Sequence, residues 1–228
     1  MSTPVLVIAE SGAGKSASLR NFDPSKTLLI QSIPKPLPFR NPDWQLFDVE
    51  KNKTGNIFVT DNAAEIMRIM QGTKRKIIVI DDFQYILADE LMRRYTEKGY
   101  DKFSEIGYNG WRIATIAAQL PADVRVYILA HSHTDENGKT KVKTPGKLLD
   151  THSVEGMFTI VMKAIVVNGE YLFTTRTSGS DTVKTPMGMF EEDMIPNDLA
   201  AVDAAILKYY PQNFSTTGAI VTPSEGAN

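Results

Sequence analysis

The sequence predicts an α/β domain: a mainly parallel sheet between helices, with an antiparallel hairpin added near the C-terminus. Three observations predict it. Short apolar runs at Val5–Ala9, Thr27–Ile30, Ile77–Ile80 and Val124–Ala130 suit buried strands and are too short for helices. The segments between them carry apolar residues at helical spacing. After about residue 134 the pattern becomes turn-rich, and Asn168-Gly169 joins Ile165–Val167 to Tyr171–Phe173 as a two-residue hairpin.

The bulk properties agree with one such domain. A chain of 228 residues with 42% hydrophobic and 23% charged residues is long enough for a substantial core. The net charge of −2 provides no global basic field, so any nucleic-acid contact needs a local patch. There are no cysteines, which excludes disulfides and thiolate metal sites and fits a reducing cytoplasm. No apolar stretch is as long as a membrane span, and the N-terminus has no signal-peptide pattern, so no membrane partner is expected. We read residues 1–210 as one domain and 211–228, rich in Ser, Thr and Gly, as a loose tail.

Along the chain, Val5–Ala9 is the first strand and Lys15 to Arg20 opens a helix. After the strand at Thr27–Ile30, the prolines between Ile33 and Pro42 forbid both helix and inner strand. Ile57–Val59 is a short strand. Asp61 or Asn62 caps a helix with Ile66, Ile69 and Met70 on one face. Ile77–Ile80 leads into Asp81 and Asp82, and Phe83, Ile86, Leu87 and Leu91 continue at helical spacing. Ile113, Ile116, Ala117 and Leu120 mark the next helix, ahead of the strand that begins at Val124. Leu199, Val202, Ile206 and Tyr209 mark the last one.

The first turn is the most specific signal. Ala9-Glu10-Ser11-Gly12-Ala13-Gly14-Lys15-Ser16, followed by Ala17, is a phosphate-binding P-loop pattern with Ala9 where the strict form has Gly. Small residues let backbone N–H groups face phosphate oxygens. The following helix N-terminus adds its positive end. Lys15 supplies a cation for the β- and γ-phosphates, and the Ser16 hydroxyl is a Mg²⁺ ligand. Asp81, at the tip of an apolar strand, fits the Walker B carboxylate that holds Mg²⁺, and helix capping is its alternative reading. Asp82 is a candidate general base or outer metal group. Glu10 is the rival base, or a solvated loop residue.

His131 and His133 end the strand that follows, where a polar side chain can report the γ-phosphate. Their spacing also admits a metal ion with His152 or Asp135, or a hydrogen-bonded strand end. Lys139, Lys141, Lys143 and Lys147 crowd one loop, either as a solvated hairpin or as a grip on a phosphate backbone. Residues 98–111 mix Gly, aromatics and Lys. Tyr100 and Lys102 there are candidates for stacking on and holding single-stranded DNA, or for packing a loop on the core.

Together Ala9–Ser16, Thr27–Ile30 with Lys35–Phe39, Ile77–Asp82, Ala130–His133 and the stretch from Thr144–Leu148 to Arg176 and Lys184 resemble the RecA-like core of the P-loop ATPases. More narrowly, the chain resembles small phage-encoded ATP-binding proteins of the AAA class, some of them RecA-core single-strand annealing proteins. The resemblance spans roughly residues 4–190. It implies Mg²⁺-dependent ATP hydrolysis, self-assembly into rings or filaments, and work on single-stranded DNA in recombination or annealing. It also implies a single-strand-binding protein as a further partner, and a host bacterial cytoplasm as the location. In such assemblies Arg176 and Lys184 would reach the γ-phosphate of a neighbouring subunit; otherwise they are surface cations. Ala9 departs from the family's glycine. Glu50 alone stands in the region, residues 43–60, where the family places its catalytic glutamate. Two further functions compete: a nucleotide-binding assembly switch with slow hydrolysis, and a small-molecule P-loop kinase, for which no Arg-rich lid is visible.

Overall fold

The computed structural model describes residues 1–144, 149 and 153–211. The strands are β1 (Thr3–Ala9), β2 (Thr27–Gln31), β3 (Ile57–Val59), β4 (Ile77–Asp81), β5 (Arg125–Thr134), β6 (Thr140–Val142), β7 (Ile160–Val167), β8 (Glu170–Thr174) and β9 (Met194–Pro196). The α-helices are α1 (Ala63–Gly72), α2 (Phe83–Arg93), α3 (Asp101–Gln119) and α4 (Leu199–Tyr209). Among the described residues the sheet order is β3-β2-β4-β5-β1-β7-β8-β9, with β6 paired to β5. The strands from β3 to β7 run parallel. β8 and β9 add antiparallel strands at one edge, and β6 folds back on the end of β5. This is an α/β fold with a mostly parallel mixed sheet.

Alternation along the strands divides the core into two layers. Leu6, Ile8, Leu28, Ile30, Ile78 and Ile80 face α1, α2 and α3. Val5, Val7, Leu29, Val79 and Tyr127 face the opposite side, where Leu19, Phe22, Trp44 and α4 cover them. With both faces covered, the inner strands read as continuous apolar runs rather than alternating ones.

Local chemistry explains the element ends. Asn62 caps α1, its side chain accepting from the Glu65 N–H at 3.0 Å. Asp198 caps α4 through the Ala200 N–H at 2.9 Å. The β7–β8 turn has φ of 52° at Asn168 and 84° at Gly169, the left-handed pair that a two-residue hairpin requires.

Two regions differ from the sequence expectation. The helix expected after the P-loop is a single 3₁₀ turn, Ser16–Leu19. Pro24 keeps Asp23 out of helical geometry. Leu19 and Phe22 are pulled onto the sheet, so the chain turns away at once. The second difference is at residues 98–111, which are not a loop; from Asp101 onward they form the first half of α3. Gly107 and Gly110 are buried there, and a Cβ at Gly110 would stand 3.1 Å from Leu87 and Leu149, so the glycine permits close helix packing. Lys102 is buried, and its ammonium donates to the carbonyls of Arg94 (3.0 Å) and Glu97 (2.6 Å). It is therefore a structural cation, while Tyr100 stays 87% exposed. The short strands β6 and β9 had no clear sequence signal. The segments 145–148 and 150–152, with Lys147 and His152, and the expected tail beyond Pro211 lie outside the described residues.

One buried polar cluster ties α4 to the sheet. The Arg125 guanidinium makes a two-pronged pair with Asp203, 2.8 Å on each prong, and the Tyr127 hydroxyl donates to the same carboxylate at 2.6 Å. Burial, then the Asp203 charge, pushes the Tyr127 phenol well above its ordinary pKa, so it stays a neutral donor. Asp203→Ala removes the carboxylate that faces the buried Arg125 charge. We expect a loss of about 3 kcal/mol in urea unfolding, against about 1 kcal/mol for Tyr127→Phe. Equal, small losses for both would show that the pair does not carry the α4 contact.

Candidate functional site

Sheet register brings the chemistry together. Ala9 pairs with His131, and Gln31 pairs with Asp81. The C-terminal ends of β1, β5, β4 and β2 therefore share one edge of the sheet, where open α/β sheets bind ligands. β5 lies between β1 and β4, so His131 stands between the P-loop and the two aspartates.

The loop after β1 turns on Gly12 (φ 82°) and Gly14 (φ 88°). Both need the left-handed region that glycine enters freely. At Gly14 there is a second constraint: a Cβ would come within 2.7 Å of Tyr171 Cδ1 and 3.4 Å of the Asn197 amide. β8 and the start of α4 thus buttress the loop. Arg20 reinforces this by donating to the Asn197 carbonyl at 2.7 Å, and Asn21 donates to Asp198 at 2.7 Å.

Beside the loop is a cleft of about 440 Å³, lined among others by Gly14, Lys15, Ser16, Lys35, Asp82 and His131. Ser16 Oγ donates to Asp81 Oδ2 at 2.8 Å, across a separation of 65 residues. Asp81 is fully buried, and its Oδ1 has no hydrogen-bond partner. Burial, followed by the charge of Asp82, raises its carboxyl pKa, while Lys35, Ser16 and Lys15 oppose the rise. An unmatched buried polar atom costs roughly 1–3 kcal/mol. An oxygen donor pair with one carboxylate oxygen unused fits a small hard cation, so Ser16 and Asp81 are the residues that could hold Mg²⁺.

Asp82 has φ 61° and ψ 44°, a left-handed conformation that costs an ordinary residue roughly 1–2 kcal/mol. Ser32 stabilises it: the hydroxyl reaches the Asp82 carbonyl at 2.9 Å and the Asp81 carbonyl at 3.2 Å. The turn aims the Asp82 carboxylate into the cleft, where Lys35 pairs with it; Lys35 also lies 3.6 Å from Asp81. Burial disfavours the Lys35 charge, but the two aspartates outweigh it and hold its pKa above the usual lysine value. Lys15 is buried at 6% exposure, with Nζ 3.4 Å from the Glu10 carbonyl and 3.5 Å from His131 Nε2. Burial lowers its pKa, against the pull of Asp82 and Asp81. His131 Nε2 is also 3.5 Å from Asp82. Burial, then Lys15, lowers the His131 pKa, so the ring is neutral at pH 7.

The remaining sequence candidates are placed as follows. Ser11, Gly12 and Ala17 line the cleft, while Ala13 is buried behind it. Glu10 is exposed and contributes its carbonyl to Lys15. Glu50 lies in an exposed turn, its N–H donating to Asp48. His133 sits opposite Lys141 in the β5–β6 ladder, and its buried Nδ1 has no partner. Asp135 pairs with Lys141 at 2.8 Å, and among the described residues no three His, Asp or Glu side chains are grouped to hold a metal. Arg176 pairs with Asp193 at 2.5 Å on the surface. Lys184 is exposed and bridges Val161 through its backbone. Lys35, Tyr171 and Asn197 were missed as site residues. Lys35 had a signal in its position just after β2, but only the β2–β4 register converts that position into nearness to Asp81.

Comparison of the sequence with protein-family models and with curated proteins finds no match. Among the described residues no helix is long and apolar enough to cross a membrane.

The His131 shift has a testable sign. The folded chain binds this proton less readily than the unfolded chain. His131 thus contributes stability above the ordinary imidazole pKa of about 6.5, lost as pH falls through its lower folded value. In urea titrations between about pH 5 and pH 8, the wild type should gain stability with rising pH more steeply than His131→Gln. Identical slopes would place His131 in an unperturbed environment.

Proposed function

We propose that the protein is a Mg²⁺-dependent ATPase that works on single-stranded DNA and assembles with copies of itself, as the resemblance to RecA-like P-loop ATPases implies. The observation that carries the reading is the convergence of Lys15 and Ser16 from one loop with Asp81, Asp82 and His131 from two other strand ends. In this reading the P-loop N–H groups and Lys15 bind the phosphates, and their fixed positions stabilise charge that develops during transfer. With only one 3₁₀ turn after the loop, the helix dipole contributes little, and Lys15 carries more of the task. Ser16 and Asp81 would hold Mg²⁺, which when bound neutralises phosphate charge. Asp82 orients the attacking water and accepts its proton, and His131 hydrogen-bonds beside the terminal phosphate. Arg176 and Lys184 would act on the nucleotide of a neighbouring subunit, and Lys139, Lys141, Lys143 and Tyr100 would contact DNA.

One observation favours the slower nucleotide switch as a second reading: Lys35 sits on the Asp82 carboxylate and occupies the oxygen a base would use. The ATPase rate with and without single-stranded DNA separates the two. Stimulation supports the first reading, nucleotide binding without turnover supports the second, and turnover only with a small acceptor makes the protein a kinase.

Lys15→Ala should abolish ATP binding or turnover in a folded protein, because the ammonium meets phosphate. Asp81→Asn keeps the shape and removes the charge, so turnover should fall far more than nucleotide affinity. Wild-type turnover in Lys15→Ala, or an unaltered Mg²⁺ dependence in Asp81→Asn, would remove that residue from the reaction.

Charge reversal at Lys139, Lys141 and Lys143 should weaken oligonucleotide binding and flatten its salt dependence, by about 0.7 in the log–log slope per lost contact. An unchanged slope would assign all three to a solvated hairpin.

A further inference from the structure

A second cleft adjoins His131 and the P-loop residue Ser11. It encloses about 420 Å³ between α2 and the β5–β6 end, and shares only Ser11 and His131 with the nucleotide cleft. This is the size range of small-molecule sites. Its walls are chemically mixed in a particular way. Gln84 and Ser132 line it, and neither Gln84 Nε2 nor Ser132 Oγ has a hydrogen-bond partner. The Gln84 amide is oriented by chemistry: its Oε1 accepts from the His131 backbone N–H at 2.9 Å, so the NH₂ group is the one left over. Tyr85, 36% exposed, holds its ring edge-on to His131 and forms the outer wall. Lys143 completes the rim, close enough for its charge to act on His131.

An unused amide donor, an unused hydroxyl, a partly exposed aromatic ring and a single cation are the groups that recognise one nucleotide of a strand. The donors meet a base carbonyl, the ring takes a base face, and the cation takes one phosphate. A polyanionic acceptor would need more positive charge than Lys143 supplies at this rim. We propose that this cleft binds one nucleotide of single-stranded DNA, with the base against Tyr85 and Gln84 and its phosphate on Lys143. The proposal rests on the DNA part of the function above and adds a site to it. His131 forms a wall of both clefts, so the DNA nucleotide and the terminal phosphate of ATP would meet at one imidazole.

The test compares labelled oligothymidylate with a fully abasic strand of equal length, measured by anisotropy with a non-hydrolysable ATP analogue present. Wild type should prefer the strand with bases by about tenfold. Tyr85→Ala should bring the ratio near one, and Tyr85→Phe, which keeps the ring, should retain it. Lys143→Glu, on an exposed residue, should weaken both strands. Truncating a ring that is more than a third exposed does not open the core, and a thermal melt checks the fold. An unchanged ratio in Tyr85→Ala, or unchanged affinity in Lys143→Glu, overturns the proposal. No binding of either strand by wild type overturns it together with the DNA reading, whereas Lys15-dependent ATP turnover in that same preparation would leave the ATPase reading intact.

Discussion

The arrangement depends on a carboxylate that has been taken out of water. Asp81 ends a strand buried on both faces and is itself fully buried. Such a charge persists only if neighbours compensate it. The compensation comes from two separate parts of the chain: the loop after β1, through the Ser16 hydroxyl and, at longer range, Lys15, and the proline-rich segment, through Lys35. Each partner is thereby fixed relative to β4. The same interactions that make Asp81 tolerable also assemble the cleft, so site geometry and local stability have one cause. The compensation is incomplete, since Oδ1 is unmatched, and a bound cation would supply what is missing.

The C-terminal part of the chain supports this centre from behind. Tyr171 and Asn197 press on Gly14, and Arg20 and Asn21 reach across to Asn197 and Asp198. α4 is in turn held by Arg125, which belongs to the strand that carries His131. A closed mechanical path therefore runs from the P-loop through α4 and β5 back to the cleft. With only a 3₁₀ turn after the loop, a long P-loop helix is not available to hold it. The antiparallel addition takes over that positioning, which gives the late hairpin a role beyond extending the sheet.

The fold was legible where local chemistry decides it. The apolar runs, the Asn168-Gly169 turn and the glycine-lysine-serine loop each act over a few residues and stand in the structure where the sequence placed them, and of the two caps the sequence offered, Asp61 and Asn62, the structure uses Asn62. What was illegible depended on partners distant in sequence. Gly110 read as a loop glycine because its reason, the approach of Leu87 and Leu149, lies elsewhere in the chain. Lys102 read as an exposed cation because its carbonyl partners exist only once α2 ends at Arg93. Choosing between His131 and His133 required the strand register, which pairs His131 with Ala9 beside the loop and His133 with Lys141 away from it.

The chain's net charge of −2 concealed its local field. Lys15 and Lys35 meet Asp81 and Asp82 at the sheet edge, so the centre is nearly balanced rather than basic. A balanced centre exerts little long-range pull on anions and acts on them by short contacts. The exposed Lys143 lines the second cleft, and its field acts over about 8–10 Å at ordinary ionic strength. Because His131 is neutral at pH 7, it adds no repulsion against Lys15, and its ring keeps one donor and one acceptor nitrogen. An anion arriving next to it favours the protonated ring. Anion binding in the first cleft would thus be linked to proton uptake at His131, which with Ser11 lines both clefts.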